Sequence, residues 1–258
     1  MSLFFGSILP YLALAVFLAG MSWHVGRWLA RPVPFPLTLV RGETGLGRQA
    51  AAVARESLLF PALFRGDRRL GLTAWLMHAS LLLILVGHVV GISCLARQFC
   101  WLGAAPETSV RISLASGVAA GLVFVACLLV LARRRWAIPE LRQLSRRGDY
   151  FFLVLLAGIA GTGLWLRLTG TQSDLAAARS YLGGLLSLRP GALPQPALFV
   201  LHFTLVNVLL VAFPFSKLVH LAGGIIARSL LVRPAPIYPT PAGAAPSGGL
   251  HAGGGPRP

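Results

Sequence analysis

The sequence predicts an all-α integral membrane bundle of five transmembrane helices, with the N-terminus outside and the C-terminus cytoplasmic. Three observations predict it. Of the 258 residues, 56% are hydrophobic and only 12% charged, and the mean hydropathy is +0.74. Soluble domains run at roughly 45–50% apolar and about 25% charged. Five apolar runs approach or exceed the length that crosses a bilayer as helix, about 20 residues. The net charge of +16 is distributed in register with those runs. Seven arginines fall within 31–69 and six within 133–147, against Arg97, with Arg111 at its edge, in one intervening loop and Arg179 with Arg189 in another. Basic residues gather on the cytoplasmic side of a membrane protein, which fixes the orientation. The charge therefore reads as a topology signal, and no nucleic-acid partner is expected.

The first run, Leu3 to Leu29, has no basic start and no small-residue cleavage pattern leading into a polar mature chain, so a retained helix is expected rather than a signal peptide. His24, beside Trp23 near its inner end, reads as an interfacial residue. In the first inner loop Pro32, Pro34 and Pro36 stop the helix. Residues Gly47 to Phe64 mix apolar side chains with Arg48 and Arg55, as a helix lying at the interface does. A docking surface for a soluble subunit would look the same.

The second span is expected over Leu70–Leu95, the third over Ile112–Ala132, the fourth over Tyr150–Leu168 and the fifth over Ala197–Ala222. Cys94 and Cys100 flank the first outer loop, placed either as a disulfide in an oxidising compartment or as two free thiols. Three cysteines without a C-x-x-C argue against an iron–sulfur cluster or structural zinc within the chain. Residues 1–232 are read as one membrane domain. Residues 233–258, rich in Pro, Gly and Ala, are too poor in buried surface to order themselves and are read as a disordered tail. His251 belongs to that tail. No internal repeat is present.

Four of the six histidines lie in two apolar runs, His78 and His88 in the second span and His202 and His220 in the fifth. An ionisable group inside a lipid-length helix is costly and marks function by default. Three crossings separate these spans, so they run antiparallel. That pairs His78 with His220 near the inner face and His88 with His202 near the outer face. Each pair can supply two imidazoles to one iron. On straight helices the match is imperfect. The 18-residue spacing gives about 27 Å of rise and the 10-residue spacing about 15 Å. Two imidazoles fill both axial positions, which suits electron transfer rather than oxygen or substrate binding. Gly87 and Gly91 bracket His88 and leave room beside the helix for a macrocycle. No C-x-x-C-H for covalent haem attachment is present.

These residues resemble the gamma-subunit family of respiratory nitrate reductases, which extends to the di-haem cytochrome b subunits of sulfite-reductase-associated complexes. The likeness runs from Leu3 to Ala222. It is sharpest at His78 with Val86-Gly-His88-Val-Val-Gly91 and at His202 with Phe213-Pro-Phe-Ser-Lys-Leu-Val-His220. The resemblance implies two b-type haems ligated by His78, His220, His88 and His202. It also implies a quinone site near the outer haem and an iron–sulfur partner on the cytoplasmic side of a prokaryotic inner membrane. Where nitrate reductase subunits carry a lysine near the start of the third span, this chain has Arg111. The stretch Leu63 to Trp75 looks more like the sulfur-metabolism branch, whose partner would be a heterodisulfide-reductase-like subunit rather than a terminal nitrate reductase.

The expected function is a membrane cytochrome b subunit that passes electrons between the quinone pool and that partner, with quinol oxidised near the outer face. Arg97 and Arg111 are candidates for outer haem propionates or quinone, and Lys217 for the inner propionates, each against the alternative of a plain surface cation. A rival class is a membrane anchor, or an ion or metal transporter, whose histidines are structural or act as relays. No constellation for hydrolysis or group transfer is present.

Overall fold

Apolar side chains in unbroken runs leave the backbone only one way to satisfy its polar groups within lipid, the helix, and helix is what the chain forms. The computed structural model describes residues 3–30 and 45–231, among which there is no strand. The prolines of the first inner loop and the 233–258 tail lie outside the described residues. A π-helical turn, Phe4–Ile8, leads into α1 (Leu9–Ala30). There follow α2 (Leu46–Leu59), α3 (Pro61–Gly66), α4 (Arg68–Ser93) and α5 (Pro106–Ala137). The order continues with α6 (Pro139–Leu144), α7 (Arg147–Thr169), α8 (Gln172–Leu186), α9 (Ala197–Ala212) and α10 (His220–Leu231). Among the described residues, five segments are long and apolar enough to cross a membrane: Phe4–Ala30, Arg68–Ser93, Pro106–Ala137, Arg147–Thr169 and Ala197–Phe215.

The long helices pack in an arc, α4 on α5, α5 on α7, α7 on α9 and α9 on α1. Small residues let them close. A Cβ at Gly121 of α5 would fall 2.5 Å from Leu164 of α7, and one at Gly20 of α1 would fall 2.5 Å from Pro214. Lipid gives helices no hydrophobic reason to associate, so such close backbone approach supplies the packing energy. The buried centre is Ala120, Phe124, Cys127 and Leu128 of α5 with Leu155 of α7. Leu82, Leu83, Leu85, Val86 and Val89 of α4 stay exposed, as a lipid-facing surface does.

Three departures from the sequence expectations matter. First, the interfacial segment is bent and fixed to the bundle. Phe60 takes a left-handed conformation (φ 49°) between α2 and Pro61, which starts α3. Trp75 Nε1 donates to the Leu58 carbonyl at 3.0 Å, and Arg228 of α10 donates to Glu56 at 2.8 Å. Second, the loop after the fourth span contains α8. It starts at a capping box in which Asp174 accepts from Thr171 N (2.8 Å) and Thr171 Oγ1 accepts from Asp174 N (3.2 Å). Tyr181 of α8 is 2% exposed and donates to the Gly6 carbonyl at 2.7 Å. Burial pushes its phenol up to about 12. Third, the fifth span is not one helix from Ala197 to Ala222. It stops at Ala212, passes through two short 3-10 turns, Phe213–Phe215 and Lys217–Val219, and resumes at His220.

That break has a local cause. Pro214 has no N–H and its ring obstructs the preceding turn, and Ser216 is extended (φ −119°, ψ 173°). Ser216 Oγ donates to the Phe213 carbonyl (2.7 Å) and accepts from Leu218 N (3.0 Å). His24 Nε2 donates to the Pro214 carbonyl at 2.8 Å. His24 is therefore not a free interfacial residue but a brace on the break.

Candidate functional site

The antiparallel arrangement brings four histidines together as two pairs across the space between α4 and the broken fifth span. The ring centroids of His78 and His220 are 5.9 Å apart and steeply inclined, at 87°. Those of His88 and His202 are 6.3 Å apart and nearly parallel, at 9°. The mismatch of about 12 Å that straight helices would impose is removed by the break at Pro214. His220 begins a new helix instead of ending the old one.

Hydrogen bonding sets the tautomer of each ring. His78 Nδ1 bonds the Ala74 carbonyl (2.8 Å), His88 Nδ1 the Ile84 carbonyl (2.7 Å) and His220 Nδ1 the Lys217 carbonyl (2.8 Å). A carbonyl only accepts, so the proton sits on Nδ1 and Nε2 keeps its lone pair. His202 Nδ1 bonds Thr162 Oγ1 at 2.9 Å, and that hydroxyl already donates to the Gly158 carbonyl at 2.7 Å. His202 is again the donor. The other ring N–H of a metal-ligating histidine is held in this way, which fixes ring and tautomer together. His24 is the opposite case, since its Nε2 is the nitrogen that donates.

The spacing fits an iron between each pair. Two metal–imidazole bonds of about 2 Å end to end, with half a ring on either side, set the centroids roughly 6 Å apart. Among the described residues there is no group of three or more His, Cys, Asp or Glu able to hold a metal. Each pair thus offers two donors, the number a macrocycle leaves for the protein. Cβ atoms built at Gly87 and Gly91 would meet nothing within 4 Å, so the helix flank at His88 is open. Gly163 works the other way: a Cβ there would lie 3.1 Å from His202 Cε1. The ring of Phe60 stands 5.1 Å from that of His78 and shields its flank.

The remaining sequence candidates are less concentrated. Arg97 lines an open cleft of about 570 Å³ beyond the C-terminus of α4, with Arg179, Cys94, Cys100 and Trp101. The two cysteines there are free thiols. Arg111 is exposed on α5. Lys217 is ion-paired with Asp149 at 2.7 Å, and Asp149 also holds Arg135 at 3.0 Å. A second cleft, of about 320 Å³, is lined by His24, Arg27, Trp28 and Val219. Sequence reasoning missed Thr162, the partner of His202, because a threonine in an apolar run carries no signal of its own. It also missed Arg167, a lone cation at the end of an apolar run.

The model of the family described as nitrate reductase gamma subunit matches residues 62–239. The chain is 29% identical to the Hdr-like menaquinol oxidoreductase cytochrome b-like subunit of Archaeoglobus fulgidus, over 86% of this chain and 76% of that protein. It is 26% identical to the respiratory nitrate reductase 1 gamma chain of Escherichia coli, over 86% of this chain and 90% of the other. With the nitrate reductase gamma chain of Bacillus subtilis it shares 24% identity, over 83% and 87%.

Proposed function

The chain belongs to the nitrate reductase gamma subunit family, and from that membership we propose that it is a di-haem cytochrome b subunit carrying electrons between the quinone pool and a cytoplasmic iron–sulfur partner. One observation carries the reading: two facing imidazole pairs, 5.9 and 6.3 Å between centroids, with every Nδ1 engaged by the protein. When bound, a haem held by the two imidazoles of a pair would supply a one-electron iron couple suited to electron transfer. The chain's own residues do the rest. Ala74, Ile84, Thr162 and Lys217 hold the four rings in the tautomer that presents Nε2. Phe60 and the apolar flanks of α4 and α9 exclude water. The broken fifth span sets the two pairs at separate depths along the bundle.

The loop arginines support an orientation with the N-terminus outside, which puts His88 and His202 toward the outer face. Quinol is then oxidised at that end and releases its protons outside, with Arg97 and Arg111 as candidate contacts. Electrons move inward toward His78 and His220 and leave to the partner, which contributes to the membrane potential. A partner of the heterodisulfide-reductase type is favoured by the similarity to the Hdr-like menaquinol oxidoreductase subunit of Archaeoglobus fulgidus.

Protein purified from membranes is expected to show a reduced b-type spectrum with about two haems per chain. A colourless preparation would support the rival reading of a haem-free anchor or transporter. For orientation, a cysteine introduced at Arg142 should resist an impermeant thiol reagent in intact cells and react in opened ones. Labelling in intact cells would invert the topology and the direction of proton release.

A further inference from the structure

Arg167 lies near the C-terminal end of α7, where a long basic side chain ordinarily reaches for the interface. It crosses to α5 instead. Nη2 donates to Ser113 Oγ at 2.6 Å, and Ser113 is only 4% exposed. The guanidinium passes over Gly117, where a Cβ would come within 3.1 Å of Nε. Among the described residues Glu56, Asp67 and Asp149 each take a basic partner, and none of the ion pairs includes Arg167. An arginine does not shed its charge, and a half-buried cation at the end of a membrane span without a counter-charge is disfavoured. Among the described residues, only one of its donors has a protein acceptor. The rest form the fork that receives a carboxylate through two parallel bonds.

The level of that fork is read from Gly163, which lies four residues before Arg167 on α7 and against the His202 ring. Residues four apart share a helix face at roughly 6 Å. The cation therefore sits about one turn beyond the level of the His88–His202 pair. We propose that Arg167 is the counter-ion of a carboxylate of the haem held between His88 and His202, with Ser113 and Gly117 seating the guanidinium. The inference rests on the haem reading of that pair.

The test is a redox titration of full-length protein, followed through its visible spectrum, for wild type, Arg167→Gln and Arg167→Lys. In Arg167→Gln both haems are expected to remain while one becomes harder to reduce. Its oxidised-to-reduced ratio at fixed potential should rise about tenfold, which is 59 mV for a one-electron couple. The other haem should not move, and Arg167→Lys should restore most of the shift. Should Arg167→Gln lose a haem that Arg167→Lys retains, the charge assignment also stands. Equal loss in both variants would make Arg167 a packing residue and overturn the proposal. Unchanged potentials would overturn it too, including the case in which only a co-purifying anionic lipid is lost. A wild type without haem would sink the paired-histidine reading itself, an outcome distinct from a haem-replete wild type insensitive to Arg167.

Discussion

His88→Ala protein should fold, insert and carry about one haem per chain instead of about two. The side chain makes this a clean substitution. The His88 imidazole is exposed and, among the described residues, bonds only the carbonyl of Ile84 one turn back on its own helix. Ile84 keeps its place in the helical ladder when the ring is gone, and alanine is the better helix former. Stability should change little, whereas the facing His202 loses the partner that stands 6.3 Å away. The haem between His78 and His220 should remain, with its reduction by quinol analogues much slowed and its reduction by dithionite intact. Haem content, the low-temperature spectrum and quinol-driven reduction kinetics measure all three. Loss of both haems together would mean that His88 serves folding rather than ligation.

The second large effect is expected at the break in the fifth span, and it runs in the opposite sense. A Pro214→Ala, Ser216→Ala double variant restores an N–H, clears the preceding turn and removes the hydroxyl that caps Leu218. Proline in a helix interior costs about 3 kcal/mol relative to alanine, so the change favours a continuous helix from α9 into α10. On a continuous helix His220 moves to about 27 Å from His202, while His78 stays about 15 Å from His88. The inner pair would part by about 12 Å, far beyond two metal–nitrogen bonds. The variant should lose the haem of His78 and His220 and keep that of His88 and His202, the mirror image of His88→Ala. Full haem content in this variant would show that the break does not position His220.

The spans and the pairing were legible because hydropathy and antiparallel order act over whole helices. Span ends were less so. The third span was expected over Ile112–Ala132 but forms as Pro106–Ala137, because Glu107, Thr108 and Arg133 to Arg135 continue the helix after the apolar run has ended. The helix α8 was announced by Thr171 and Asp174, a capping signal that an average over hydropathy does not register. Pro214 was visible too, but an apolar proline inside an apolar run leaves a hydropathy profile unchanged while redirecting the backbone. The tautomers of the four rings and the reach of Arg167 to Ser113 depend on side-chain geometry across helices, which no residue spacing encodes.

The brace from His24 to Pro214 joins residues 190 positions apart, and it has a consequence for biogenesis. Chains emerge from the ribosome N-terminus first. Each histidine pair takes one member from α4 and one from the last span, so neither exists while the first four spans alone have left the ribosome. His24 meets the bend it steadies only after that last span has docked on α1. The nascent protein therefore passes most of its synthesis as a set of helices without either histidine pair. Both pairs are completed late, as the last span inserts and α10 follows it.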